Sequence, residues 1–401
     1  MSFAAPTTNS SARWLWGIIG LSGACAGAGL VLDARQFGFS YLLAFMFYLS
    51  LCLGSMFLVM LHHLFDASWS APIRRFEEHI AFLLPVMFLL FLPIALLAPR
   101  IYPWMNPANT DYSLAAKSLY LNRPFFYLRV LLCFGVWSWL AFKLRYWSIQ
   151  QDNTGAAGCT HKMRKFAAAG IFLYAVTTTI AAIDWMKSLS PDWYSTMYGV
   201  YFFASSAWTM TATAYVLAVV LQRTGHLRPV LTPTIYYYLG SLLLAFTVFY
   251  AYIHFAQYFV IWNANVPEET FWYVLREKGG WWNIGLIIVF GHFLVPFLAL
   301  LRIDLKLVAW WMVALGVWAW VMNFADLAFN IMPNLDPDTY VLHWTDLACL
   351  VFLGSVLTWV FLVYFSRHAP YPVKDPRLKE ALTHHEIFPP VQSAGLNGGH
   401  P

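Results

Sequence analysis

The sequence predicts an all-α polytopic membrane protein with about ten transmembrane helices. Three observations lead there. Of 401 residues, 60% are hydrophobic and only 11% charged, with a mean hydropathy of +0.59, whereas soluble proteins carry about 25% charged residues. Apolar stretches of the roughly 20 residues needed to cross a bilayer follow one another, separated by short polar breaks. Two stretches also share an outline. Lys165 opens an apolar run ending at Asp184, with Pro191 seven residues on; Lys306 opens another ending at Asp326, with Pro333 seven residues on. The stretches before them, Arg123 to Arg145 and Gly280 to Arg302, are both 22-residue steps. This is a pair of two-span units, each with an acid at the far end of its second span, and duplicated bundles are a common membrane-protein plan.

The first span, 14–32, follows Arg13; it is too long and its basic flank too thin for a signal peptide, so it is expected to be retained. The second, 39–63, ends at His62, His63 and Asp66, and the third, 79–98, opens behind Glu77, Glu78 and His79. Spans four and five, 124–143 and 166–185, make the first two-span unit. Span six, 197–221, opens with the small residues Gly199, Ala204, Ser205, Ser206 and Ala207, which let helices approach closely. Span seven, 235–262, is rich in Tyr and Phe, suited to a core or belt and also to an apolar ligand groove. Spans eight and nine, 281–301 and 307–331, make the second unit, and span ten is 344–366. The largest polar segments are the loops 99–123 and 146–165 and the tail from Arg367.

Charge sets the expected topology. Arg74, Arg75, Lys143, Arg145, Lys162, Arg164 and Lys165 fall on the same side of a ten-span arrangement as Arg302, Lys306 and the basic tail, and fewer cations fall on the other. The positive-inside rule then puts both termini in the cytoplasm and the loops 99–123, 186–196, 263–280 and 332–343 outside. The expected location is a bacterial inner (cytoplasmic) membrane, with the outside loops in the periplasm. Trp104, Trp193, Trp262, Trp272, Trp281 and Trp344 crowd span ends, as interfacial belts require.

Ionisable residues inside a membrane are costly and are functional candidates. Towards the outer face lie Arg129, Asp184, His254, Gln257, Arg276, Asp326, His343 and Asp346, a set able to hold a polar ligand head group, and from these Asp184, His254, Arg276, Asp326 and Asp346 are expected to form an outer proton relay. Towards the cytoplasm, His62, Asp66, Glu77 and His79 would form the mouth of a proton path, with His292 a carrier midway. Each has a plainer alternative. Titratable groups are cheap at span ends, Glu77 and Glu78 suit a helix N-terminus, and Asp184 and Asp326 would serve as loop anchors. The five cysteines form no CxxC or CxxCH pattern, so the chain is expected to hold neither a cysteine-ligated cluster nor a c-type haem. No metal site is expected.

The segment AIDWMKSLSPDWYSTMYGVYFFASS, residues 182–206, resembles the NrfD-type (polysulfide-reductase-type) integral membrane subunits. TFWYVLREKGGWWNIGLIIVFGHFLVPFLALLRIDLK (270–306) and NFADLAFNIMP (323–333) fit the same family, and within it most nearly the second, shorter such subunit of bacterial alternative complex III. The resemblance implies two four-helix bundles flanked by one outer helix at each end. Residues 1–38 would be the N-terminal tail and outer helix, 39–196 the first bundle, 197–333 the second, and 334–401 the last helix and cytoplasmic tail. It implies a membrane subunit of a quinol-oxidising electron-transfer complex that contributes to the quinone environment and to proton translocation. No haem or iron–sulfur cluster would sit in this chain, and no covalent cofactor; the ligand would be menaquinone or another quinone. Implied partners are a related NrfD-type membrane subunit, a periplasmic iron–sulfur subunit, multihaem and monohaem c-type cytochromes, small membrane subunits, a terminal oxidase and lipid, with no nucleic acid.

Three other readings stand beside it. A purely structural scaffold of the complex would need no site. A secondary transporter suits the internal duplication, although the two units run in the same direction while transporter repeats are often inverted. A b-type cytochrome needs two histidines at one depth, which His254 and His343 satisfy on sequence position alone.

Overall fold

The computed structural model describes residues 9–106, 114, 116–338 and 340–383, and among these every regular element is helical, with no strand. The helices in order are α1 (Asn9–Leu32), α2 (Ala34–Phe65), α3 (Arg74–Ala81), α4 (Leu84–Leu90), α5 (Leu92–Ile101), α6 (Arg123–Thr154), α7 (Ala157–Trp185), α8 (Tyr198–Arg223), α9 (Pro233–Ala264), α10 (Pro267–Arg276), α11 (Gly279–Ile287), α12 (Val295–Leu301), α13 (Ala309–Ile331), α14 (Trp344–Ser366) and α15 (Pro376–Thr383). Among the described residues, nine helices are long and apolar enough to span a membrane, or ten if the bent run α3–α5 is one span. The chain is a multi-pass helical membrane protein.

Two spans are not straight, and proline is the reason in both. The third bends by 53° at Phe91, just before Pro93, and an earlier break precedes Pro85. Proline offers no N–H and its ring collides with the carbonyl four residues back. In the eighth span, α11 and α12 are joined by a π turn, Ile288–Leu294. Pro296 would meet the carbonyl of His292 in a regular α-helix; the wider turn relieves that collision.

The helices α2 and α8 lie at the centre and pack on each other, with most of their residues buried. Their contact depends on Gly54, where a Cβ would strike the backbone carbonyl of Ser206. Helices α3, α5 and α7 pack on α2, and α6 pairs with α7; α9 and α13 pack on α8. α14 rests on α2, with α1 against both. One continuous apolar core runs through both halves.

Loops meet at two ends. At one, Tyr102 donates to the Trp185 carbonyl (3.2 Å), Ser190 to Asn334 (2.8 Å) and Trp193 to the Glu269 carbonyl (3.1 Å); this is called the Asp184 end. At the other, Arg74 meets Asp375 and Lys374 meets the Asn153 carbonyl; this is the Arg74 end.

Candidate functional site: a polar network behind an apolar groove

Asn323, Asp326 and Asn330 follow a helical spacing that puts them on one face of α13, and all are buried. Tyr201 of α8 donates its hydroxyl to Asp326 Oδ1. Asn330 Nδ2 donates to that hydroxyl oxygen at 3.1 Å and to the Asp326 carbonyl at 2.8 Å, while Tyr198 donates to Asn330 Oδ1 at 3.1 Å. One helical turn deeper, Ser205 donates to Asn323 Oδ1 (2.7 Å) and Asn323 Nδ2 donates to Ser50 of α2 (3.2 Å). Asp326 Oδ2 is buried without a hydrogen-bond partner.

Tyr250 of α9 links this network to two histidines. Its hydroxyl lies 3.5 Å from that of Tyr201 and 3.3 Å from His254 Nδ1. Its ring stacks on His292 at 3.7 Å between centroids and 11° between planes, and Trp208 covers the same imidazole at 3.9 Å. His292 is on the π turn and fully buried, with neither ring nitrogen hydrogen-bonded. The π turn thus places its ring against Tyr250, one use to which such turns are put at functional sites.

In front of these residues, between α9, α10 and α11, lies a groove of about 650 Å³. Most of its wall is apolar: Val248, Phe255, Leu286, Val289, Phe293 and Phe329. Polar groups enter from Tyr250, Tyr252, His254, Tyr258, Tyr273, Arg276, Glu277 and the indole of Trp282. Such a cavity, mainly apolar with a few polar groups, is the usual form of a small-ligand site. Gly279, with φ +56°, makes the turn into α11 that forms one wall, and Gly280 N–H bonds to the Asp338 carbonyl at 3.2 Å. A Cβ on Gly279 would strike that same carbonyl.

Arg276 closes the groove at the Asp184 end. Its guanidinium donates to the carbonyls of Trp272 (2.9 Å), Phe329 (2.9 Å) and Asn330 (3.3 Å) and lies 3.5 Å from the Trp272 ring centroid. Burial pulls its pKa down to about 9, so it remains a cation at neutral pH. Oxygen dipoles and an aromatic face hold this charge, and the bond to Asn330 joins it to the Asp326 network.

Of the five residues read as one outer relay, His254, Arg276 and Asp326 meet here, and Asp184 and Asp346 lie elsewhere. Asp184 is paired with Arg129, which also donates to the Tyr120 carbonyl (3.0 Å) and faces the Tyr120 ring at 4.0 Å. Asp346 accepts from Ser40 (2.5 Å), Tyr340 (2.9 Å) and the His343 N–H (3.0 Å), which makes it part of the N-terminal cap of α14. His343 accepts from the Thr345 N–H in that cap.

The Arg74 end gathers His62, Asp66, Glu77 and His79, but not His292, which belongs to the groove network. Arg74 lies 2.5 Å from Asp375, 3.0 Å from His62 Nε2 and 3.0 Å from Glu78. Arg75 pairs with Glu78 (3.1 Å) and Asp152. Asp66 pairs with Arg164 and with Arg377 (2.9 Å). Burial pushes the Asp375 carboxyl up, but the bond to His62 and the Arg74 charge outweigh it and hold Asp375 well below the usual carboxylate range. Beneath this layer Glu77 Oε2 and both nitrogens of His63 and of His79 are buried without partners. Arg74 and Arg75, taken in the sequence as loop charges that set topology, are fully buried. Paired acids stabilise cations there, and composition alone does not show which acids those are.

Several residues of the site carried no warning in the sequence. Tyr201, Tyr273 and Trp208 are three aromatics among many, and Asp375 and Arg377 sit in a polar tail, whereas Tyr250 belongs to the aromatic span seven read as suited to a ligand groove. Asn323 and Asn330 were passed over, although with Asp326 they make a polar stripe at helical spacing, the signal that would have found them. No family model and no curated protein matches this chain.

Proposed function

We propose that the groove between α9, α10 and α11 holds the head of a quinol, and that the chain is the NrfD-type membrane subunit of a quinol-oxidising complex of the alternative complex III kind. The observation that carries this reading is the continuity of an apolar groove with a buried acid: His254 leads through Tyr250 and Tyr201 to Asp326. A tail-bearing quinol needs an apolar channel for its tail and proton acceptors at its head. Its oxidation to quinone releases two protons and two electrons; His254 and Asp326 would receive the protons. The electrons would pass to an iron–sulfur partner outside the membrane and on to c-type cytochromes. In this reading the Asp184 end faces the periplasm and both termini face the cytoplasm, which accords with the excess of cations at the Arg74 end. The groups at the Arg74 end would be the inner mouth of a proton route.

Purification from the native membrane in mild detergent tests this, with mass spectrometry of proteins and extracted quinone. Iron–sulfur and multihaem partners should copurify, and a photoreactive quinone should label residues between 248 and 293. A chain that purifies alone, with no redox partner and no label there, would sink the proposal. The scaffold reading predicts copurification of the partners without that label.

A further inference from the structure

We infer that Tyr273 is the hydrogen-bond donor that fixes a ring oxygen of the groove's ligand, with Gln257 as the residue that positions it; the inference rests on the quinone reading of the groove. Ser195 donates to Gln257 Oε1 at 2.9 Å. With its oxygen so occupied, the Gln257 amide nitrogen donates to the Tyr273 hydroxyl oxygen, also at 2.9 Å. Tyr273 is therefore an acceptor towards Gln257, and its own hydrogen remains to be donated elsewhere.

Apart from Tyr252, which is largely exposed, the other tyrosine hydroxyls of the groove are already engaged. Tyr258 donates to Glu277 (3.1 Å), and Tyr250 is shared between Tyr201 and His254. Among the described residues, Tyr273 is the buried groove tyrosine that accepts a bond and donates none within the protein. Its ring has no freedom to turn away, because Trp272 and Tyr258 meet it edge to face at 4.9 and 5.0 Å. An unused donor in an apolar cavity is costly until a ligand oxygen accepts from it. Arg276, three residues further along α10 and so one helical turn away, adds a positive charge that favours an oxygen-headed ligand over a hydrocarbon at that end. The ligand class that fits is a ring carrying a carbonyl or phenolic oxygen, joined to an apolar tail.

The test uses the complex purified from its native membrane. Tyr273→Phe removes only the hydroxyl, and Gln257→Leu removes what orients it. Quinol KM per assembled complex should rise roughly fivefold to tenfold in each, the value of one hydrogen bond, with kcat changing less. The infrared carbonyl band of bound, isotope-labelled quinone should shift in Tyr273→Phe towards its position in an apolar solvent. A photoreactive quinone is mapped in parallel. Label between 248 and 293 with unchanged KM and carbonyl band would overturn this inference and leave the groove reading standing. Label elsewhere would overturn both. If Tyr273→Phe fails to assemble, Gln257→Leu decides: an unchanged KM and band in it overturn the inference.

Discussion

Tyr201 donates its hydroxyl to Asp326, and that bond joins α8 to α13 in the middle of the buried polar network. Asp184 occupies the matching place in the first two-span unit but meets a cation, Arg129. The repeat thus supplies two buried acids at one end of the bundle in different electrostatic settings. A carboxylate closed by an arginine is suited to holding helices together. One that accepts from a tyrosine hydroxyl, with no cation paired to it, is suited to exchanging protons with neighbours.

Asp326→Asn keeps the shape and removes the titratable group. We expect quinol oxidation per assembled complex to fall at least about tenfold, a typical loss for a missing proton acceptor. Full turnover in an assembled Asp326→Asn complex would exclude Asp326 from the proton route. Tyr201→Phe should instead lower thermal stability by about 1–3 kcal/mol, since it takes a bond from two buried polar side chains, Asp326 and Asn330.

Arg129→Leu leaves Asp184 buried without its partner. Breaking a buried pair costs about 3–5 kcal/mol, whereas replacing both members with apolar residues is often close to neutral. The melting temperature of the purified protein should drop sharply in Arg129→Leu and recover in the double variant Arg129→Leu/Asp184→Leu. Quinol turnover per assembled complex should survive in the double variant, because this pair lies outside the groove network. Loss of turnover there would show that Asp184 does more than hold helices.

Gly54→Leu forces α2 and α8 apart at their crossing, where the Ser206 backbone leaves no room. Overpacking typically costs about 1–3 kcal/mol, and backbone contact puts this site at the upper end. Gly17→Leu, on α1 with open space around it, is the control. Equal melting temperatures for the two variants would contradict the packing described.

The C-terminal segment should stay docked at neutral and mildly acidic pH. The folded-state pKa of Asp375 is depressed, so its stabilising contribution is present above the unfolded aspartate value of about 3.9 and is lost as pH falls through the lower folded value. Hydrogen exchange of residues 371–383, corrected for intrinsic rates, should therefore stay slow from pH 7 to about 5 and accelerate only below about 4. Asp375→Asn should accelerate it at pH 7, because Arg74 and Arg377 lose a charge partner. Rapid exchange in the unaltered protein at pH 7 would refute this.

The sequence by itself determined the class of this protein and its apolar spans. Those features depend on local composition: a run of apolar residues must be helical in lipid, because its backbone groups find no other partners there. The small residues of span six were legible for the same reason. Tertiary structure alone decided which acid meets which partner. Asp184 and Asp326 look alike in the sequence, and only helix packing brings Arg129 to one and Tyr201 to the other. Packing likewise set His292, read as a midway carrier on the inner path, into the groove network, through the π turn that Pro296 imposes. It also buried Arg74 against Asp375, some 300 residues later in the chain, and Arg75 against Asp152. Partners so distant leave no periodic trace, since their meeting depends on how whole helices cross.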